Sequence, residues 1–292
     1  MHSHTKRALL YGSAVVTLGA IGYLWQHRVQ DADVMTMLSS VNVQLRLAYG
    51  MPAADKQGKP LSARVDMIAQ ADRSLADVER IEPGLVDTAE FTGFSHMLQG
   101  RYADAAAHYA RAQLCKDCGD EQRDVLAFNQ ARMLAAAGQK EAALAVFARH
   151  ADRLDRRFGH QRRLEEATIL RQLGRRPEAI QRATVVLEDA AAPSMAALQA
   201  GQELFELGES GAAESALARA ATELPIANYW LARLKLQQND VDTCLGLLER
   251  AAKAQPTEVR RLLGNEPDAW STVAADARFQ ELQRPPAAAP TR

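Results

Sequence analysis

The sequence predicts an all-α fold, an array of stacked helix pairs. Two observations carry that expectation. The first is a motif led by glycine. Gly100-Arg-Tyr-Ala-Asp-Ala-Ala-Ala-His-Tyr-Ala-Arg-Ala112 reads as a tight turn followed by a helix with one small-residue face. Similar text starts at Gly138, Gly174 and Gly208, and a weaker copy starts at Asn239, giving spacings of 38, 36, 34 and 31. A period of that size marks a solenoid of helical hairpins. The second is composition. Hydrophobic residues make up 47% of the chain but aromatics only 5%, because Ala supplies much of the apolar content. Ala- and Leu-rich text favours closely packed helices, and no alternating strand pattern competes with it.

The 292 residues are enough for one extended array or two domains. A net charge of -1 gives no global field for nucleic acid, and the arginine-rich stretch lacks interleaved aromatics apart from Phe158, so nucleic acid is not expected as a partner. Three cysteines are too few for a disulfide scaffold.

Residues 1–28 read as an N-terminal transmembrane anchor with a short basic flank. Ala8 to Trp25 is a run of 18 residues without a charge, between Lys6 and Arg7 on one side and His27 and Arg28 on the other. At about 1.5 Å per residue it just spans a hydrocarbon core, with Tyr23 and Trp25 near one interface. A cleaved signal peptide and a hydrophobic helix in solution are the rival readings. No small-x-small cleavage site follows the run. Lys6 and Arg7 ahead of the run, and Asp31 and Asp33 after it, place the N-terminus in the cytoplasm by the positive-inside rule. The expectation is a single-pass inner (cytoplasmic) membrane protein with a periplasmic or other extracytoplasmic domain, so the membrane is a partner through Ala8–Trp25.

Residues 29–85 read as a divergent helical pair. Val34, Met37, Leu38, Val41, Leu45 and Ala48 recur at helical spacing, and a polar loop follows over 50–60. A second helix runs from Ser62, taken as its N-cap, to Ile81, with Met67, Ile68, Ala71, Leu75 and Val78 as its stripe. Glu82-Pro-Gly84 stops it. Terminal repeats are expected to be atypical. Residues 86–256 hold the repeats. Residues 257–284 read as capping helices, with Trp270, Val273, Phe279 and Leu282 as an apolar cluster, and the Pro- and Ala-rich 285–292 as a disordered tail.

The repeats resemble the tetratricopeptide repeat (TPR) family. With each turn residue as repeat position 15, small or apolar residues fall where that family has them. They are Ala89, Thr92, Gly93, Ala105, Tyr109 and Ala112 in one repeat, then Ala127, Ala131, Leu134, Ala143 and Phe147. Ala197, Ala200, Gly201, Leu204, Ala213, Leu217 and Ala220 follow, and the Asn239 copy supplies Leu231, Ala232, Leu248, Ala251 and Pro256. The Gly174 copy departs from the pattern, with Arg163 and Glu166 at positions where apolar residues are usual. That implies a rotated first helix or a loosely packed pair.

The resemblance implies a right-handed α-solenoid acting as a membrane-anchored, non-catalytic scaffold for protein–protein interaction, for instance in envelope assembly. It implies a concave groove lined by first-helix residues. These are Phe94, Met97 and Leu98, then Phe128 and Arg132, Thr168 and Arg171, Gln202 and Phe205, and Tyr229 and Arg233. Aromatic, Met and Arg side chains are enriched in interface cores. The competing reading is that these groups pack against neighbouring repeats. The two-carboxylate clamp of some family members is not supported, because Glu90 and Phe94 stand where its Lys and Asn would be and only Asn129 agrees.

Cys115-Lys-Asp-Cys118 closes a helix. It reads as structural, as a local disulfide, or as a metal or redox site. A metal site needs two further ligands, and a redox pair normally opens a helix, where the dipole lowers the thiol pKa. Cys244 falls on a small-residue packing position. The arginine-rich stretch from Arg149 to Arg182 reads as a patch for an acidic partner or as a solvated face neutralised by neighbouring carboxylates. His96 and His150 lie on packing positions. No catalytic triad, phosphate loop or metalloprotease motif occurs, and no catalytic, cofactor-binding or metal-binding residue is assigned. Two alternatives to the scaffold stay open: a redox or metal accessory role through Cys115 and Cys118, and a self-associating structural oligomer. The sequence leaves the oligomeric state undetermined.

Overall fold

The structure is a computed structural model that describes residues 18–284, apart from residue 56. Those residues form two compact units, 18–154 and 155–284. The first holds α1 (Leu18–Gly50), α2 (Ser62–Ile81), α3 (Val86–Leu98), α4 (Tyr102–Ala112), α5 (Asp120–Ala136) and α6 (Lys140–Arg149). A long helix α7 (Ala151–Gln172) has a non-helical break at Phe158 (φ -129°, ψ 23°). The second unit continues with α8 (Arg176–Glu188), α9 (Ser194–Glu206), α10 (Ser210–Ala221), α11 (Ala227–Gln237) and α12 (Val241–Ala254). It closes with α13 (Pro256–Asn265), a 3-10 turn over Pro267–Val273 and α14 (Ala277–Gln283). Among the described residues, the only extended pairing is an isolated bridge between Ala54 and Pro60.

The recurrent turn has one geometry. Gly100, Gly138, Gly174, Gly208 and Asn239 all sit in the left-handed region, with φ of 75°, 79°, 74°, 73° and 60°. Each lets the next N–H reach back across the helix end. Arg101 donates to the His96 carbonyl, Gln139 to Leu134, Arg175 to Leu170, Glu209 to Leu204 and Asp240 to Lys235, all at 2.9 Å. This is the Schellman closure of a helix C-terminus, and a residue without Cβ meets its conformation at least cost. Asn is the side chain that tolerates it next best, so the weak fifth copy keeps the turn. Asp240 also caps α12, accepting from the Thr243 N–H at 3.2 Å.

Small residues then decide how closely the two helices of a pair approach. A Cβ at Gly201 on α9 would stand 2.7 Å from Cγ of Leu217 on α10. At Gly93 on α3 it would stand 3.0 Å from the Tyr109 ring on α4. Both glycines occupy the small-residue position of the first helix. Ala105, Ala143, Ala179, Ala213 and Cys244 fill the matching position of the second helix and are fully buried. Larger groups one turn on (Tyr109, Phe147, Leu217 and Leu248) fill the space toward the next pair.

In the first unit, Val34, Leu38, Val41, Leu45 and Ala48 of α1 mesh with Ile68, Ala71, Leu75 and Val78 of α2. Ser62 is the first residue of α2 and not its cap; Leu61 precedes it in extended conformation and makes no side-chain cap. In the second unit, Trp270, Val273 and Phe279 are buried against Tyr229, Leu245 and Leu248, so the segment after α12 covers the last pair.

The membrane expectation is corrected. Among the described residues, no helix is long and apolar enough to cross a membrane. Within α1 only Leu18 to Trp25 precedes Gln26-His27-Arg28, and Asp31 and Asp33 follow on the same helix. The finding overturns the single-pass placement with its cytoplasmic N-terminus and extracytoplasmic domain, and with it the membrane as a partner through Ala8–Trp25. The start of that run, its Lys6–Arg7 flank and the tail 285–292 lie outside the described residues.

Two substitutions test this account. Gly201→Ala is expected to lower stability by about 1–3 kcal/mol through overpacking on Leu217. Asn239→Gly is expected to raise it by at most about 1 kcal/mol by relieving the left-handed turn. Urea unfolding midpoints of the three proteins check both directions.

Candidate functional site

The sequence-predicted inner residues lie on the first helices of successive pairs. In the first unit Phe94 and Met97 are partly buried against the core shared by α1 and α2. The Phe94 ring is 5.9 Å from that of Tyr49 at the end of α1. Phe128 on α5 is buried, its ring 5.7 Å from Phe147. Arg132, one turn on, is exposed.

In the second unit the neighbouring first helices α7, α9 and α11 are tied by a ladder of polar contacts. The Thr168 hydroxyl donates to Glu203 at 2.8 Å, and Arg171 Nε donates to the other oxygen of Glu203 at 2.8 Å. Further along, Phe205 and Trp230 stand edge to face at 6.2 Å. The Arg233 guanidinium lies over both rings, 5.1 Å from Phe205 and 5.3 Å from Trp230, while pairing with Glu266 at 2.7 Å. Stacking and charge pairing act on the same planar group, which Arg does and Lys does not. Tyr229 is only 1% exposed. Its ring packs 5.4 Å from Trp270, and its hydroxyl reaches the Leu262 carbonyl at 3.5 Å. The structure thus brings together Arg171, Phe205 and Arg233 on three consecutive first helices and sends Tyr229 into the cap. Glu203, Trp230 and Glu266 complete the arrangement. Glu203 and Trp230 each stand one residue from a groove position, whereas nothing in the sequence singled out Glu266.

The irregular Gly174 repeat has a physical explanation. Arg162 and Glu166 are both buried and paired with each other on α7. Arg162 also holds Asp155 at 2.7 Å, and Arg182 on α8 lies 3.0 Å from the second oxygen of Glu166. Burial pushes the Glu166 carboxyl above its ordinary range, while the two arginines pull it back. An ion network fills the space that apolar residues fill elsewhere. Four other arginines of this stretch are also paired with carboxylates: Arg153 with Asp124, Arg163 with Asp155, Arg175 with Glu178 and Arg176 with Glu209.

Cys115 and Cys118 are free thiols in the turn after α4, as is Cys244 in the core of the last repeat. Burial pushes the Cys115 and Cys118 thiols up from their ordinary value, which disfavours the reactive thiolate. The turn itself has a mechanical role. Asp117 accepts the Val86 N–H at 3.1 Å and so closes the start of α3, and Arg123 donates to the Cys118 carbonyl at 2.8 Å. Among the described residues, no group of three His, Cys, Asp or Glu side chains could hold a metal ion.

His96 on α3 and His108 on α4 touch edge to face, with centroids 4.9 Å apart. They line a cavity of about 360 Å³ together with Asp72, Glu79, Thr88 and Arg111. The Nδ1 atom of each ring is buried without a hydrogen bond. Burial lowers the pKa of both, and Arg101 lowers both further, as does His96 for His108; Asp104 opposes it. The folded chain therefore binds fewer protons here than the unfolded chain.

No protein-family model matches the chain, and no curated protein does. Solved structures do. One is a structure of pilF from Pseudomonas aeruginosa, at 14% identity, covering 79% of this chain and 99% of that one with a TM-score of 0.49. Another is the APC/C hetero-tetramer Cut9–Hcn1, at 12% identity, covering 86% of this chain and 52% of that one with a TM-score of 0.47. The chain thus spans about half the length of the latter. The repeat assignment here rests on this chain's own turns and interhelix packing.

Two outcomes are expected. The contribution of the histidine pair is fully present above the ordinary histidine value of 6.5 and is lost as pH falls through the lowered folded values. The drop in unfolding midpoint on acidification should therefore be smaller in a His96→Gln/His108→Gln variant. Glu166→Ala, which leaves Arg162 buried with only Asp155, should cost about 3 kcal/mol in chemical denaturation.

Proposed function

We propose that the chain is a non-catalytic scaffold that binds a protein or peptide partner along the first helices of its repeats. In the second unit the face comprises Arg171, Gln202, Phe205 and Arg233, with Tyr229 supporting it from the cap side. In the first unit the corresponding positions are Phe94, Met97, Phe128 and Arg132. The observation that carries the reading is the Arg233 stack. An arginine clamped between two aromatic rings and a carboxylate is already ordered, so little side-chain entropy is lost when a partner covers it. Arg and aromatic residues in such a cluster are the types that dominate binding energy. Arg171, held by Glu203, offers a second ordered cation on the adjacent helix.

The test is affinity capture from extracts of the source cell with the full chain. A Gln202→Arg variant should bind at least one captured protein about tenfold or more weakly, at an unchanged unfolding midpoint. Capture of nothing beyond the control, or of the same proteins with equal affinity by the variant, contradicts the reading.

A further inference from the structure

The cavity that His96 and His108 line is a slot between α2 and the α3–α4 pair. On α2, Asp72 and Glu79 stand seven residues apart, which is two helical turns or about 10 Å along one face. Leu75 and Ala76 lie between them, and Ala89 of α3 joins them in the lining. Asp72 accepts from the Ser95 hydroxyl at 2.5 Å and the Gln99 amide at 2.9 Å, which places it at the His96 end. Glu79 accepts from the Gly84 N–H and pairs with Arg111, which places it at the Thr88 end. The two ends differ in charge. Arg111 neutralises Glu79 at one, and Arg101 and Asp104 pair at 2.9 Å beside the other. Asp72 is held only by uncharged groups, and among the described residues no cation pairs with it. The imidazoles do not compensate it, because burial keeps them neutral at pH 7. Three lining residues also carry a buried polar atom with no hydrogen-bond partner: His96 Nδ1, His108 Nδ1 and Thr88 Oγ1. Thr88 is only 3% exposed. Native folds leave few such atoms.

We propose that this slot binds a primary alkylammonium, its nitrogen at Asp72 beside the two imidazoles and its chain along Leu75, Ala76 and Ala89. The chemistry follows from the lining. An ammonium brings three donors and no acceptor. Asp72 has lone pairs beyond the two already used, and each neutral imidazole keeps one nitrogen as an acceptor. One positive charge balances the one carboxylate that lacks a counter-ion, and a partly buried carboxylate gains by having one. An anion would meet Asp72 unscreened, and a second cationic head would meet Arg111 at the far end. The middle of the slot offers methyl and methylene groups, which suit an aliphatic chain and give nothing to a bare inorganic cation. A free alkylamine and the Lys side chain of a protein present the same group.

The test is a titration of the full chain followed by the NMR ring-proton signals of His96 and His108. n-Butylammonium is expected to shift both and to saturate in the millimolar range. n-Butanol, of like length without the charge, should bind about tenfold or more weakly. Affinity should fall about threefold for each methylene removed, through n-propylammonium to ethylammonium. Asp72→Asn, which keeps the shape and removes the charge, should weaken n-butylammonium about tenfold or more. Ala76→Leu should block it by filling the slot, at an unchanged unfolding midpoint, since residue 76 is exposed. The blocked amidated lysine, N-acetyl-lysine N-methylamide, separates the two sources. Saturation by it as well as by n-butylammonium assigns the slot to a protein Lys; saturation by n-butylammonium alone assigns it to a free amine. Ring signals that do not move in excess n-butylammonium overturn the proposal. So does n-butanol binding equally well, which marks an apolar cleft only, and so does unchanged binding in the two variants.

Discussion

The left-handed turn after each first helix is the constraint on which the rest of the structure depends. A helix ends with unpaired carbonyls, and the chain must then reverse within a few residues. A residue at positive φ does both at once, because the following N–H closes onto the carbonyl five residues back and the backbone leaves at the angle that starts the next helix. Once the turn is set at Gly100, Gly138, Gly174, Gly208 and Asn239, the two helices of each pair are forced into contact. Everything else concerns what occupies that contact.

What occupies it is mostly very small. Gly93 and Gly201 leave no room for even one methyl group, and the alanines opposite them are fully buried. Close approach at one level leaves space one turn away, which Tyr109, Phe147 and Leu217 fill. Tyr109 and Phe147 fill gaps between pairs, and Trp270 and Phe279 fill the space between the last pair and its cap. The Gly174 repeat fills the same space with Arg162, Glu166 and Arg182. A buried ion network is a weak source of stability compared with well-packed apolar groups, but losing one member leaves an uncompensated charge. That repeat is bound to its polar composition once one of the charges is present.

The inner helices show the same economy. Glu203 takes hydrogen bonds from two residues of α7, and Arg233 serves two rings and a carboxylate. Such contacts order side chains in advance of any partner. The cysteine pair, which in sequence suggested chemistry, belongs to a turn whose Asp117 and Arg123 contacts fasten α3 to the start of α5. Its raised thiol pKa values suit that mechanical part better than a reactive one.

Sequence alone determined the helical class, the helix pairs, the turn positions and the small-residue faces. Those properties are local or periodic: a residue tolerant of positive φ, alanines one helical turn apart, a proline or glycine after the last apolar residue. What only the tertiary structure decided were the partners across helices. Whether Arg233 stacks on Phe205 and pairs with Glu266, and whether Arg171 pairs with Glu203, depends on residues about thirty positions apart that no local pattern relates. The hydrophobic N-terminal run shows the limit most plainly. A count of uncharged residues measured its length correctly, but α1 passes without a break into Arg28, Asp31 and Asp33 and then into a helix built to pack on α2. Hydropathy reports what a segment can tolerate, and packing decides where it goes.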